Sequence, residues 1–275
     1  MFWYVPRRII QILVNFLSSL PSQYMYTLKK SLGQHFLHDK HIIDKIVQAL
    51  KQERFHQLLE VGPGGGALTQ HLYQISGVDF KAVELDREKI DFLSKTYPGL
   101  GEHIISGSFL DMSIPFENNF TVIGNFPYNI SSQILFKILD WKNQVPVVIG
   151  MFQKEVAQRA AAKEGSKVYG VLSVLIQAYY HVEYLFDVSP GCFNPPPKVM
   201  SAVIRLSRRN DSLPYRSEND FRRLVKAAFQ QRRKTLRNAL RAYFLPEILT
   251  DPIFDRRAET LSLEEFADLT HKMSS

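Results

Sequence analysis

Gly124-Asn125-Phe126-Pro127-Tyr128-Asn129-Ile130 follows an apolar run, Phe120-Thr121-Val122-Ile123. That run predicts a short buried strand. A strand ending in Asn-aromatic-Pro-Tyr gathers an amide, an exposed backbone carbonyl and an aromatic face at the carboxyl edge of a sheet, where open α/β sheets bind their ligands. The three groups suit the capture of a flat base drawn out of its stack. The amide oxygen and the carbonyl accept the two hydrogens of an exocyclic amine, and the ring stacks on the base. A Pro-containing turn with a packed tyrosine would use the same residues, so the rest of the chain has to decide.

A second chemical signal lies upstream. Glu60-Val61-Gly62-Pro63-Gly64-Gly65-Gly66 directly follows the short strand expected at 57–61. Glycines in such a turn let the backbone approach a ligand closely, with a helix N-terminus beyond. Glu84 ends the next expected strand, 22 positions after Gly62, where a carboxylate can accept hydrogen bonds from both hydroxyls of a ribose. The combination binds an adenosine-type cofactor. Gly62-x-Gly64-x-x-Ala67 also satisfies the dinucleotide pattern, but two features favour S-adenosylmethionine. Glu60 can organise the loop and a ligand amino group, and a base-holding turn occupies the strand where hydride transfer would need other groups.

The elements that must position these groups follow from periodicity. Residues 38–52 carry apolar side chains at helical spacing, with Asp39 as a candidate N-cap. Strands are predicted at 57–61, 79–84, 103–105, 120–123, 145–151, 179–186 and 199–206. Helices are predicted at 67–75, 86–96, 131–139 and 166–178. Strands alternating with helices imply a doubly wound parallel sheet, with an antiparallel pair possible at its end. Composition turns polar at 208–219, and beyond it 220–243 and 262–273 read as helices.

The chain has 275 residues, 45% of them hydrophobic, and a formal net charge of +7. That bounds it to a globular protein with one large domain, or one large and one small, and a mild preference for an anionic partner. Cys192 is the only cysteine, which argues against a disulfide framework and suits a reducing cytosol. The eight histidines show no ligand spacing, and no metal is expected. Residues 1–20 resemble a signal peptide or short anchor, with Arg7-Arg8 ahead of the apolar run 9–20. That run is short for a membrane span and contains Gln11 and Asn15. A dispensable extension or non-native start, with Met25 as the ordinary beginning, is the preferred reading.

Ser31-Leu32-Gly33-Gln34-His35-Phe36-Leu37, the glycine loop, Glu84, Asn125–Tyr128, Phe193-Asn194-Pro195-Pro196-Pro197-Lys198-Val199 and Gln231-Arg232-Arg233-Lys234 together resemble one family. It is the ribosomal RNA adenine N6,N6-dimethyltransferases, which modify two adjacent adenosines near the 3′ end of small-subunit (16S) rRNA. The resemblance runs from about Lys29 to the C-terminus. It implies an α/β fold with a Rossmann-like class I methyltransferase sheet and a smaller C-terminal helical domain. The implied division is 1–24 as extension, 25–207 as the S-adenosylmethionine-binding domain and 208–275 as a basic RNA-binding domain. It places His35 and Leu37 on the segment closing over the cofactor, Gly62 and Glu84 at the cofactor's methionine end and ribose, and Asn125 between cofactor and base. Asn125, Pro127, Tyr128 and Phe193 then form the catalytic turn, with Tyr128 and Phe193 sandwiching the adenine. The family usually carries an aspartate where this chain has Ser108. A serine can still accept a hydrogen bond from the cofactor adenine, at a cost of about 1–2 kcal/mol, and Asp111 is a candidate to compensate.

Residues 205–241 hold twelve Lys or Arg against three acids. Arg222, Arg223, Arg232, Arg233, Lys234 and Arg237 are the expected grip on RNA phosphates, recognising backbone and shape. The activity expected is dimethylation of a flipped adenine on an assembling small subunit, by a cytoplasmic monomer without membrane or metal partners, with S-adenosyl-L-methionine as cofactor. The alternative is a ribosome-assembly or RNA-binding factor with weakened catalysis.

Overall fold

The computed structural model describes residues 35–274. The extension at 1–24, the start at Met25 and Ser31–Gln34 of the first motif lie outside the described residues. The chain opens with β1 (Phe36–Leu37), then α1 (Lys40–Lys51). Asp39 caps α1 by accepting from the Ile42 N–H at 3.1 Å, and Ile42, Ile43, Ile46, Val47 and Leu50 form its buried face. β2 (Gln57–Val61), α2 (Thr69–Leu72), β3 (Asp79–Glu84), α3 (Arg87–Thr96), β4 (Ile104–Ser106), β5 (Thr121–Asn125), α4 (Ser131–Asp140) and β6 (Val147–Gln153) follow. Then come α5 (Lys154–Ala160), α6 (Val171–Gln177), β7 (Tyr180–Val188), β8 (Phe193–Asn194) and β9 (Ser201–Arg208). The tail holds α7 (Glu218–Gln230), α8 (Leu236–Ala239) and α9 (Leu263–His271).

Seven strands form one sheet in the order β4-β3-β2-β5-β6-β9-β7. The first five are parallel, while β9 runs antiparallel to both β6 and β7. The expected parallel sheet with an antiparallel end is what forms. Strand order reverses between β2 and β5, the switch point at which such sheets leave a crevice above their carboxyl ends. The interior strands β5 and β6 are apolar nearly throughout and buried on both faces.

Several boundaries differ from the periodicity. β1 pairs antiparallel with β8 (Phe36 opposite Asn194, Leu37 opposite Phe193), a two-residue ladder too short to leave a sequence signal. The 166–178 helix starts only at Val171, because 161–170 is held as a loop. The single helix expected over 220–243 is broken after Gln230: Lys234 N–H turns back to the Gln231 carbonyl, and α8 starts anew. Arg232 is drawn aside at this break to carbonyl acceptors in the 161–170 loop.

The helical tail does not stand apart. Phe221, Leu224, Phe229, Phe254 and Phe266 share one continuous core with Trp141, Tyr169 and the β5/β6 layer. Tyr169, 1% exposed, donates its hydroxyl to the Leu261 carbonyl at 3.0 Å. On the other sheet face α1 packs over Leu58, Phe80, Ile149 and Val203.

Candidate active site

A cavity of about 210 Å³ opens at the switch point. It is walled by the β1 segment, the glycine loop, the ends of β3 and β4, and the turn after β5. The glycine loop takes its shape from backbone that other residues rarely adopt. Gly62, Gly64 and Gly66 have φ of +69°, +55° and +83°. At Gly62 an added Cβ would lie 3.7 Å from the Pro127 ring, so the glycine loop and the 125–128 turn are in contact across the switch point.

Asn125 is oriented by its neighbours. Its Nδ2 donates to the His35 carbonyl at 3.1 Å, which leaves Oδ1 as the amide's open acceptor. The His35 ring donates from Nδ1 to the Pro195 carbonyl at 2.8 Å and sits 5.4 Å from the Tyr128 ring. One residue thereby ties together the β1 segment, the proline loop and the 125–128 turn. The Pro127 carbonyl accepts from Ile130 N–H at 3.3 Å, whereas the Phe126 carbonyl has no partner among the described residues. Tyr128 hydrogen-bonds Ser201 through its hydroxyl, and burial raises its pKa. It is a neutral ring fixed at the cavity wall.

Two carboxylates face the same space. Glu84 accepts from Gly64 N–H at 3.1 Å through one oxygen, and from Leu85 and Asp86 N–H at 2.9 and 3.0 Å through the other. Burial raises its pKa, opposed by those backbone bonds. Lone pairs remain for diol hydroxyls. Glu60 is 2% exposed, and its Oε2 has no partner. Burial pushes its pKa up to about 8, with the charge of Glu84 adding to the shift. The neighbouring Thr69 hydroxyl opposes it without making a bond of standard geometry. An orphaned carboxyl oxygen on a cavity wall fits an ammonium group, and Glu84 fits a ribose, so the cavity suits an amino-acid-bearing nucleoside such as S-adenosylmethionine.

The Glu60 carboxyl has a measurable consequence. From its ordinary value near 4.5 up to about 8, the unfolded chain carries the ionised group while the folded chain keeps the proton. Folding then takes up a proton, so stability falls as pH rises through that window. Glu60→Gln should melt at a higher temperature than the wild type at pH 8, with the gap closing towards pH 5. A wild-type-minus-variant difference that stays flat from pH 5 to 8 would mean that Glu60 is ionised throughout.

The structure gathers His35, Leu37, Gly62, Glu84, Ser108, Asn125, Pro127 and Tyr128 around the cavity. It does not bring Phe193 there. Phe193 is 2% exposed, packed among Leu37, Ile42 and Val188 and pinned opposite Leu37 by the β1–β8 pairing. The expected two-sided sandwich is therefore one-sided in this structure. Ser108 lines the cavity and accepts from Leu110 N–H at 3.2 Å, but Asp111 is exposed and is not part of the wall, so it does not compensate for the missing aspartate. Leu85, 57% exposed, also lines the cavity. An apolar side chain left open beside a ligand site suits the face of a purine, and its only sequence signal was its place next to Glu84.

Most of the expected phosphate grip is already engaged. Arg222 pairs with Glu218 and Asp140, Arg223 with Asp220, and Arg237 with Asp255. Arg232 donates to the Lys167 and Tyr169 carbonyls at 3.0 and 2.9 Å. Arg233 and Lys234 are exposed and have no ion pair among the described residues.

A seven-stranded sheet with this strand order and a glycine loop at its switch point defines a class I methyltransferase, with an Asn-Phe-Pro-Tyr turn on the cavity wall. The model of the family described as ribosomal RNA adenine dimethylase matches residues 25–273. The chain is 51% identical over 250 residues to ribosomal RNA small subunit methyltransferase A of Cytophaga hutchinsonii, covering 90% of this chain and 97% of the relative. It is 50% identical over 252 residues to the protein of that name from Flavobacterium johnsoniae, covering 90% and 96%. Among solved structures, a dimethyladenosine transferase from Plasmodium falciparum superposes with a TM-score of 0.74 at 23% identity, over 87% of this chain and 99% of that one. The 23S rRNA methyltransferase ErmE does so with 0.67 at 22%, over 86% and 99%. These two share the fold. The chain belongs to the ribosomal RNA adenine dimethylase family. It is accordingly a methyltransferase whose cofactor is S-adenosyl-L-methionine.

Proposed function

We propose that the protein adds two methyl groups to the N6 amine of each of two adjacent adenosines near the 3′ end of small-subunit rRNA. Its substrate is the assembling small subunit, and it works as a monomer in the cytoplasm. In this reading 25–207 binds cofactor and base, 208–275 helps to hold the RNA, and 1–24 is dispensable. No helix among the described residues is long and apolar enough to cross a membrane, and they hold no cluster of His, Cys, Asp and Glu suited to a metal.

The observation that carries the reading is the orientation of Asn125. With Nδ2 held by the His35 carbonyl, Oδ1 is left to accept one N–H of an adenine amine. The unpartnered Phe126 carbonyl, next in the chain, accepts the other. Such bonds favour a pyramidal nitrogen and free its lone pair, which in the base is delocalised into the ring. Bound S-adenosylmethionine supplies an electrophilic methyl group on a sulfonium. Glu60 would hold the ammonium group of that ligand and Glu84 its ribose, Tyr128 offers a face to the base, and Asn125 with Phe126 aims the nitrogen. Alignment is the main contribution, and the amine proton passes to water after transfer. The second methylation proceeds with one amine N–H bond fewer.

Ser108 favours a second reading, an assembly factor with weakened catalysis, because its hydroxyl already accepts from Leu110 and offers less to a cofactor than a carboxylate. Incubating the protein with unmethylated small subunits and labelled cofactor, then weighing rRNA fragments, separates the two. A mass gain of four methyls on a fragment with two adjacent adenosines supports the enzyme. Subunit binding with no mass gain would leave only the assembly factor.

A further inference from the structure

The tail's exposed cations without an ion pair among the described residues are Lys226, Arg233, Lys234, Arg241 and Arg257, and three of them, Arg233, Lys234 and Arg257, gather beside two lysines of a loop from the sheet. Lys163 and Lys167 lie in the loop between α5 and α6, Arg233 and Lys234 in the turn after α7, and Arg257 beside the start of α8. All five are exposed, and none has an ion pair among the described residues. Leu236 N–H bonds the Arg256 carbonyl at 2.8 Å, which brings the Arg257 segment against that turn. Arg232 joins the two sides through the Lys167 and Tyr169 carbonyls, and Gly165 N–H adds a bond to the Glu259 carbonyl at 2.6 Å. Glu164 and Glu259 are the acids within these segments. Arg256 is paired with Glu265; beside that pair, and with Glu259 3.9 Å from Arg232, the surface carries six further cations against two carboxylates.

Topology sets where this surface faces. α7 begins beside the chain entering β6, since Glu218 pairs with Lys142. That is the sheet edge opposite the cavity. Thirteen helical residues carry the chain about 20 Å, antiparallel to α6, whose own end leads into β7 at that same far edge. The 231–235 turn therefore emerges towards the carboxyl edge, the side on which the cavity opens.

The chemistry of the surface is narrow. The segments 161–170, 231–235 and 256–260 contain a single aromatic, Tyr169, and it is buried. No stacking platform for unpaired bases is present, while Lys and Arg heads are spaced over three segments. That suits the sugar-phosphate backbone of a helix, recognised by charge and shape.

We propose that the 161–170 loop and the 231–235 turn, clasped by Arg232, form one surface for the backbone of an RNA helix, engaged while the target adenine occupies the cavity. This rests on the reading of RNA as substrate. Arg232 acts here as a positioning residue, and the phosphate contacts are made by its neighbours and by two lysines of the sheet domain.

The test compares wild type, Lys163→Glu/Lys167→Glu and Arg232→Met. It measures binding to a 20-base-pair RNA duplex and to an unstructured single strand over a salt series, S-adenosylhomocysteine binding as a check on the cavity, and methyl transfer to small subunits. The double variant should bind S-adenosylhomocysteine normally and bind the duplex about tenfold or more weakly at 0.1 M salt. Its log–log salt slope should shrink by about two, at roughly 0.9 per lost phosphate contact. Arg232→Met should reduce the slope by more than one contact, since the loop lysines lose their register. Wild-type methylation alongside unchanged duplex binding and slope in the double variant would overturn this surface and leave the activity intact. Equal losses on duplex and single strand would overturn the assignment to a helix. A wild type that neither binds nor methylates RNA would sink the activity and this surface together.

Discussion

Asn125→Ala should lower the single-turnover rate of methyl transfer by about a hundredfold or more, with RNA and S-adenosylhomocysteine affinities changed by no more than a few-fold. The side chain makes one bond that the protein itself satisfies, Nδ2 to the His35 carbonyl. Its other end, Oδ1, has no partner among the described residues and in the proposed mechanism is left for the reacting amine. Removing it leaves the cavity wall, the glycine loop and the cations of the tail in place, so ground-state binding has little to lose. The nitrogen loses the acceptor that holds it pyramidal and in line. Asn125→Asp sharpens the test. It keeps an acceptor but sets a carboxylate against the His35 carbonyl, so it should retain more rate than the alanine variant and less than the wild type. Parallel losses of binding and rate in Asn125→Ala would show that the amide merely helps to capture the base.

The sequence revealed the site more fully than the molecule around it, for physical reasons. Gly62, Gly64, Glu84 and Asn125–Tyr128 announce themselves because the backbone or the chemistry admits few substitutes: positive φ at the glycines, a carboxylate at a strand end, an amide followed by a carbonyl. The sheet was legible because β5 and β6 are largely apolar runs of strand length, and β2 and β3 carry shorter apolar stretches between polar ends. Phe193 was misplaced because a residue type does not say which way a side chain turns. The two-residue β1–β8 ladder that folds it under Leu37 depends on partners more than 150 positions apart. The charge run at 205–241 was visible as a run, but not its bookkeeping by partner. Glu218, Asp220 and Asp255 neutralise Arg222, Arg223 and Arg237, and only the folded tail shows that Arg232 spends its donors on another segment's carbonyls. Lys163 and Lys167 were overlooked for the complementary reason. They sit in a stretch whose sequence looks neutral, and tertiary packing brings them beside Arg233.

Gly150→Ala should damage both stability and catalysis, although residue 150 touches no ligand. Gly124 and Gly150 sit opposite one another on β5 and β6 and open a notch filled by the Phe126 ring, 1% exposed and 4.8 Å from the ring of Phe152. A Cβ at 150 would stand inside 3 Å of both rings, and one at 124 would stand 2.5 Å from the Val61 carbonyl oxygen. Overpacking of this kind costs about 1–3 kcal/mol, or a fall in melting temperature of roughly 2–10 °C for a chain of this size. The ring can escape only by lifting its own backbone, and that backbone carries the Phe126 carbonyl and the Asn125 amide. Transfer at 25 °C should therefore drop well over tenfold while the variant is still folded. Trimming the ring should relieve the clash, so Gly150→Ala with Phe126→Leu should recover both melting temperature and rate relative to Gly150→Ala alone, with a coupling that separate changes would not produce. If the two substitutions prove additive, the notch does not hold the catalytic turn in place, and the alignment of Asn125 must come from His35 alone.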